Sequence, residues 1–327
     1  MAQGGHGTQK VSEMHVRRIA ASALAISTVL LGAACAGDDL AEDDSDSAGG
    51  DKGSVKISGQ DFGEVQIVSA MYEQLLEAEG YDVTIQLVGT RDVYIADGQF
   101  PDSIQLVPEY VGGIVDYLNV TANGPEAEPL TTPDAAETIE AAQPLLEDRG
   151  ITLLDPSAAV DTNAFFVTQE FSQEEGVTKL SDLEGKKVVV AAAPDCAERT
   201  DCGAGLTKDY GIDVTEFLPL GFASADVFKS VADGESQLGL TSTTDGTLES
   251  QGMVLLEDDK QIQPAQNLIP AVSTDWLADN PDVEGILNDL MAALTTENLT
   301  ELNAQVSVER QKPDDIAKEF LESEGLL

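Results

Sequence analysis

In the stretch 55–113 the apolar residues recur first at the spacing of a strand, then at that of a helix, and then at that of a strand again. The stretch starts with an alternating strand pattern, and turn-forming residues follow at 59–63. From Val65 the apolar residues recur at helical spacing until Gly80, which suits the end of a helix. The stretch 81–88 alternates apolar and polar residues again and predicts a second strand.

Strands that are separated by one helix predict a parallel sheet with a right-handed crossover. Ligands of such sheets bind beyond the carboxyl ends of the strands. Two turns, 59–64 and 89–92, follow predicted strands and are therefore the expected edges of a ligand site.

The rest of the chain predicts two α/β lobes and two crossings between them. With 327 residues the chain exceeds what one hydrophobic core usually serves. The apolar runs 163–168 and 267–273 suit the two crossing strands. We expect lobe I at 55–164 plus 268–327 and lobe II at 165–267. Two helices, 283–294 and 313–321, are predicted to complete lobe I.

Residues 1–34 have the features of an export signal. Two arginines precede an uncharged run at 19–34, which is shorter than the roughly 20 residues that span a bilayer. The run ends in Leu-Gly-Ala-Ala before Cys35 and resembles a bacterial lipobox, in which the cysteine carries the lipid. We expect a lipoprotein signal peptide at 1–34 and lipidation at Cys35, with ordinary secretion as the alternative.

The segment 35–54 is predicted to be an acidic, flexible tether. It combines aspartate, glutamate, glycine and serine with almost no apolar residue. Such a composition repels itself and cannot form a packed core.

Charge and histidine content exclude several classes of function. The formal net charge is −43, whereas a nucleic-acid partner would require a basic face. The only histidines, His6 and His15, precede Cys35, so the mature chain has no imidazole for a Ser-His-Asp mechanism or for zinc. We expect a monomer without enzymatic activity, cofactor or metal site.

Cys196 and Cys202 are expected to form a disulfide, because an exported chain enters an oxidising compartment. The small ring would restrain the loop that carries Arg199, one of four arginines after residue 34. A guanidinium suits a ligand carboxylate through forked hydrogen bonds. A structural ion pair with a nearby acid explains Arg199 equally well.

Several segments, in this order and spacing, resemble one protein family. They are DFGEVQIVSAMYEQLLEAEGYDV at 61–83, VPEYVGG at 107–113, the stretch 194–211 that ends in GLTKDYG, STTDG at 242–246, and VLLEDDKQIQPAQNLIPAV at 254–272. The family comprises the substrate-binding proteins of ABC importers for glycine betaine, carnitine and choline. The resemblance covers nearly all of 55–327. It implies a two-lobed type II binding-protein fold with two hinge crossings.

The resemblance also implies a ligand site. Family members typically hold a quaternary ammonium group in a box of tyrosine faces and bind its carboxylate with hydrogen-bond donors. Tyr110 matches one box tyrosine by position. Four further positions where relatives often have tyrosine hold other residues: Phe165, Phe166, Phe228 and Thr243.

Further ligand contacts are implied at two turns and one loop. Thr90 would offer a hydroxyl and a backbone N–H, and Arg199 would pair with the ligand's carboxylate. Asp61 and Phe62 occupy the first turn with Glu64. An acid there either faces a cationic head group or caps the following helix, and we prefer the capping interpretation.

The resulting hypothesis is a lipid-anchored solute receptor on the outer face of the cytoplasmic membrane. It would bind glycine betaine or a related quaternary amine in the cleft between the lobes and deliver it to an ABC permease. One alternative is the same fold binding a different small polar solute, such as a non-quaternary amino acid derivative. Another is a surface lipoprotein that serves as an adhesin or scaffold.

Overall fold

The computed structural model describes residues 52–96 and 98–327. Its strands are β1 (Ser54–Gln60), β2 (Asp82–Val88), β3 (Leu106–Tyr110), β4 (Ile151–Leu153), β5 (Asn163–Thr168), β6 (Lys187–Ala192), β7 (Asp213–Pro219), β8 (Leu238–Ser242), β9 (Met253–Leu256) and β10 (Leu268–Ser273). Its helices are α1 (Gly63–Ala78), α2 (Arg91–Tyr94), α3 (Val111–Asn123), α4 (Ala135–Arg149), α5 (Gln169–Glu175), α6 (Gly203–Lys208), α7 (Ala225–Ala232), α8 (Thr274–Asp279), α9 (Asp282–Ala293), α10 (Thr296–Ser307) and α11 (Pro313–Glu324).

The strands form two five-stranded sheets of matching design. The first has the order β2-β1-β3-β10-β4, and the second has the order β7-β6-β8-β5-β9. In each sheet the first three strands are parallel, and one antiparallel strand, β10 or β5, lies beside them. Each antiparallel strand is the one that the chain enters after crossing from the other sheet. The predicted two-lobed α/β fold is confirmed, and lobe I and lobe II below denote the first and the second sheet with their helices.

The two crossing segments lie side by side and are hydrogen-bonded to each other. Val160 and Asn267 form an antiparallel bridge. The Asp161 N–H donates to the carbonyl of Gln266 at 3.0 Å, and the Leu268 N–H donates to that of Ala159 at 3.0 Å. The chain therefore passes between the sheets through one paired hinge. The boundaries 55–164, 165–267 and 268–327 stay a prediction.

Each sheet is covered by a hydrophobic core on both faces. In β3, Leu106 packs in a core with α1, α9, α10 and α11, whereas Val107 packs on the opposite face with α3 and α4. In β5, Phe165 and Phe166 likewise enter opposite cores of the second sheet. Successive strand residues point to opposite faces, so each strand contributes to both cores.

The N-terminal predictions fall mostly outside the described residues. The signal peptide, Cys35 and the tether up to residue 51 belong to that part. The predicted tether extends to residue 54, whereas β1 begins at Ser54. Lys52 is already fixed by ion pairs to Glu79 at 2.9 Å and to Asp282 at 2.8 Å. Within residues 52–96 and 98–327, every helix is too short or too polar to cross a bilayer.

Candidate functional site

A cavity of about 490 Å³, here called the aromatic cavity, is lined by residues from both lobes and from the hinge. Phe62 contributes its ring from the N-terminus of α1, while Phe222 and Phe228 contribute theirs from lobe II. Phe62 and Phe222 are 38% and 48% exposed. Covering these rings would remove apolar surface from water, so the cavity offers apolar faces to a ligand.

Glu64 lines this cavity at the first turn of α1 and is almost fully buried. The Tyr110 hydroxyl donates to its Oε1 at 2.5 Å, and the Asn303 amide donates to its Oε2 at 2.6 Å. Burial raises the pKa of Glu64, while these hydrogen bonds oppose the rise. The N-terminus of α1 also favours negative charge at this place.

Asp161 lies on the first hinge segment, across the cavity from α1. Burial and the neighbouring Glu64 raise the pKa of Asp161 to about 7, and the nearby hydroxyls of Ser242 and Thr244 oppose the rise. Its Oδ1 atom is buried, and no group in the described part of the chain hydrogen-bonds to it. Such an atom normally has a partner, so this one has unused capacity to accept a hydrogen bond.

The turn after β8 forms the lobe II side of the cavity and is organised by Asp245. Its Oδ2 accepts from the Thr241 hydroxyl at 2.5 Å, and its Oδ1 accepts from the Thr247 N–H at 2.9 Å. Gly246 then passes close to α10, where a Cβ atom would lie 2.3 Å from the backbone nitrogen of Ala304. Only glycine allows the turn to approach the helix so closely.

A second cavity of about 260 Å³, here called the polar cavity, adjoins the first and shares Asp161, Phe222 and Ser242 with it. Arg199 lines it, but its guanidinium is already paired. Nε donates to Asp201 Oδ1 at 2.9 Å and Nη2 donates to Asp201 Oδ2 at 2.5 Å. The structural ion pair, one of the two interpretations of Arg199, is therefore present.

The structure brings three of the predicted site residues together. Phe62 and Phe228 line the aromatic cavity. Tyr110 lies one layer behind Phe62, with ring centroids 6.4 Å apart and an interplanar angle of 19°. Its hydroxyl points to Glu64. Tyr110 therefore supports the site through Phe62 and Glu64, and it does not itself line the cavity.

The other aromatic positions and Thr243 do not line the aromatic cavity. Phe165 and Phe166 are fully buried, and Phe166 stacks beneath Phe228 at 4.6 Å. The Thr243 hydroxyl donates to the Val160 carbonyl at 2.5 Å and accepts from the Thr162 N–H at 3.0 Å. Thr243 therefore fixes the turn after β8 to the hinge.

The two predicted turns contribute unequally. The first supplies Phe62 and Glu64, whereas Thr90 in the second is exposed and lies outside both cavities. Asp61 is also exposed and accepts a hydrogen bond from Gln66 Nε2 at 2.8 Å. The capping interpretation is wrong, because Phe62 is the N-cap residue of α1 and makes no side-chain hydrogen bond to it.

Sequence reasoning missed Asp161, Phe222 and Asn303 as cavity residues. Phe222 follows β7, a strand that was not predicted, so its place beyond a strand end was not recognised. Asn303 lies on α10, which was also missed, although Thr295 and Asn298 form a capping box that marks its start. Asp161 reaches the cavity because the two crossing segments pair with each other, with the Asp161 N–H donating to the Gln266 carbonyl.

Cys196 and Cys202 form a disulfide in the structure, with Cα atoms 5.2 Å apart. Both are fully buried in the core of lobe II. The ring holds the loop of Arg199 at the edge of the polar cavity.

Comparisons with known proteins agree with this architecture. Residues 53–323 match the family model described as the substrate binding domain of ABC-type glycine betaine transport systems. The glycine-betaine-binding protein of Pseudomonas aeruginosa is 27% identical over 285 residues, covering 84% of this chain and 88% of that protein. The glycine betaine-binding protein YehZ of Escherichia coli is 24% identical over 286 residues, covering 83% and 90%.

A solved structure described as a glycine betaine/carnitine/choline ABC transporter has the same fold. Its TM-score is 0.71 at 21% identity, and the match covers 84% of this chain and 98% of that one. The family model spans most of the chain, including both sheets, the hinge and the aromatic cavity. The chain therefore belongs to the family of substrate-binding domains of ABC-type glycine betaine transport systems, whose members bind solutes outside the cytoplasm and are not enzymes.

Proposed function

We propose that this protein captures a quaternary-ammonium solute of the glycine betaine, choline and carnitine class in the aromatic cavity and delivers it to an ABC permease. The observation that carries the proposal is the combination of three phenylalanine rings with two carboxyl groups, the buried Glu64 and the half-buried Asp161, around one cavity of ligand size. A small-molecule site is typically a cavity of about 300–1,000 Å³ with few polar groups.

The chemistry of the cavity suits this class of head group. A trimethylammonium group has no N–H and cannot donate conventional hydrogen bonds, so aromatic faces and negative charge are its best partners. Phe222 and Phe62 offer exposed rings, and Phe228 is held in place by its stack on Phe166. Phenylalanine attracts a cation less strongly than tryptophan, so the carboxyl groups of Glu64 and Asp161 supply much of the attraction.

Isothermal titration calorimetry tests the proposal. Purified residues 35–327 are titrated with glycine betaine, choline, carnitine and proline betaine. We expect saturable one-to-one binding of at least one of them. Absence of heat with all four, together with unchanged thermal unfolding in their presence, would contradict the proposal.

The proposal includes a mature protein that is anchored by lipid at Cys35 on the outer face of the cytoplasmic membrane and acts as a monomer. The order of a basic segment, an apolar run and small residues before Cys35 supports it. Mass spectrometry of the N-terminal peptide from native membranes should show a diacylglycerol modification. Cys35→Ala should release the protein from the membrane fraction, and retention of this variant would contradict the anchor.

A second candidate is the same binding role for a non-quaternary solute. The observation that favours it is the set-back position of Tyr110, which leaves only phenylalanine faces in the described cavity lining. Native mass spectrometry of protein purified from its own cells distinguishes the two candidates, because the mass of a co-purified ligand identifies it directly.

A further inference from the structure

We infer that the aromatic cavity selects ligands of net positive charge, a choline-type cation over a zwitterion such as glycine betaine, and that Glu64 and Asp161 determine this selectivity. The inference rests on the proposed function, since it names the charge class within the quaternary ammonium solutes. A zwitterion carries a carboxylate close to its ammonium group, whereas choline carries a neutral hydroxyl there.

The first argument is the set of carboxyl groups that surround the cavity. Glu64, Asp161 and Asp245 all line it. Glu64 and Asp245 have donors on both oxygens, from Tyr110 and Asn303 in the first case and from Thr241 and Thr247 in the second. Asp161 differs, because its buried Oδ1 has no hydrogen-bond partner among the described residues.

An unpartnered buried carboxylate oxygen is costly, and a ligand cation or hydroxyl donor would relieve that cost. Choline supplies both groups. Its ammonium head fits the phenylalanine rings, and its hydroxyl can donate to Asp161 Oδ1. Glycine betaine has no hydrogen to donate, and its carboxylate would face Asp161.

The second argument is that the described lining of the aromatic cavity has no basic side chain. None of the described residues that line the aromatic cavity is lysine or arginine. Arg199 faces the neighbouring polar cavity and is paired with Asp201. Arg91 is paired with Glu109, with Nε 2.8 Å from Oε1, and does not line the cavity. A ligand carboxylate would therefore face three acidic side chains without a compensating cation in the described lining.

The third argument concerns the protonation of the two carboxyl groups. Burial raises the pKa of Asp161 to about 7 and also raises the pKa of Glu64. Further titratable and charged groups face the two carboxyl groups: Tyr110 behind Glu64, Asp245 in the aromatic cavity, and Asp116 and the Arg199–Asp201 pair across the polar cavity. A bound cation favours the ionised form, so choline binding should release a proton and strengthen from about pH 6 to about pH 8.

The test is calorimetry with choline and with glycine betaine at about pH 6 and about pH 8, in two buffers of different ionisation enthalpy. We expect choline to bind at least about tenfold more tightly than glycine betaine at the higher pH. Choline binding should release a fraction of a proton, which appears as a difference in heat between the two buffers.

Two isosteric variants assign the selectivity. Asp161→Asn and Glu64→Gln should each weaken choline binding by about 10–100-fold and leave glycine betaine binding unchanged or stronger. The matched controls are Asp155→Asn, an exposed acid on the same connecting segment, and Glu77→Gln, an exposed acid on the same helix as Glu64. Both controls should bind choline like the parent. Circular dichroism and thermal unfolding check that each variant is folded.

The outcomes separate the inference from the proposed function. If no quaternary amine binds, the proposed function fails. If glycine betaine binds as tightly as choline to the parent protein, the inference fails and the proposed function stands. The inference also fails if Asp161→Asn weakens both ligands equally. The parent measurement alone decides between the charge classes, even if a variant does not fold.

Discussion

The aromatic and polar cavities differ in how their charged groups are satisfied, although they share Asp161, Phe222 and Ser242. In the polar cavity the prominent charge, Arg199, is neutralised by Asp201 and lies near Asp195 at 3.5 Å. In the aromatic cavity the carboxyl groups have no basic partner in the described lining, and Oδ1 of Asp161 has no hydrogen-bond partner among the described residues.

The comparison shows that a rare charged residue is a weaker indicator of a site than an unsatisfied one. Arg199 is conspicuous in a chain with a net charge of −43, yet two of its neighbours already satisfy it. Asp161 is one of 60 acidic residues and inconspicuous in the sequence, yet the fold leaves its Oδ1 atom buried without a hydrogen-bond partner among the described residues. A hydrogen bond to a ligand requires such unused capacity.

Removing the ring of Phe222, which lines both cavities, should have the largest effect on ligand binding. Phe222→Ala should weaken quaternary-amine binding by about 30–100-fold, or about 2–3 kcal/mol, because the ligand loses a cation–π partner and apolar contact. Phe222→Tyr keeps an aromatic face and should bind like the parent. Calorimetry measures both variants. Equal affinity of Phe222→Ala and the parent would place the ligand elsewhere than in the aromatic cavity.

Replacing the Asp161 carboxyl with a neutral group should stabilise the ligand-free protein. Because the pKa of Asp161 is raised to about 7, the folded state holds a proton that the unfolded chain has already lost. The free energy of unfolding therefore falls as the pH rises from about 4 to about 7. Asp161→Asn lacks this fall and should be more stable by about 1–3 kcal/mol at neutral pH.

Urea unfolding of parent and variant between about pH 4 and about pH 8 measures this difference. The other acids titrate in both proteins and cancel in the comparison. The stability gain should grow with pH through the window and then remain constant. A stability gain that is the same at every pH would show that the pKa of the Asp161 carboxyl is not raised.

Removing the charge of Arg199, which is already paired with Asp201, should have the smallest effect on binding. Arg199→Gln should change ligand affinity by less than about threefold, because the guanidinium already donates to Asp201 and faces the polar cavity. Calorimetry with choline and with glycine betaine is the measurement. A loss of more than about tenfold for glycine betaine alone would restore Arg199 as the partner of a ligand carboxylate.

The sequence was sufficient to predict the fold class, because the change between strand and helix periods is strong. Examples are the helix that starts near Val65 and the crossing strand at 163–168, both of which the structure contains. The missed elements have weak periodicity. Helix α10 buries only Leu299 and Leu302, and its remaining residues are polar except for Ala304 and Val306. Strand β7 contains no fully buried residue.

The site was less predictable, because its composition depends on contacts between distant segments. Phe62 and Phe228 were found from local position and family resemblance. The role of Glu64 depends on Asn303, which is 239 residues away in the chain. For Phe165 and Phe166, the aromatic character was recognised correctly, but the strand turns both side chains into the cores of lobe II.

The near contact between Gly246 and helix α10 has a consequence for the width of the cleft. The turn belongs to lobe II, while α10 packs on the core of lobe I, and a single added carbon would overlap the helix backbone at Ala304. The absence of a side chain at residue 246 thus sets how closely the lobe II turn can approach α10. Any larger side chain there would hold the two lobes further apart.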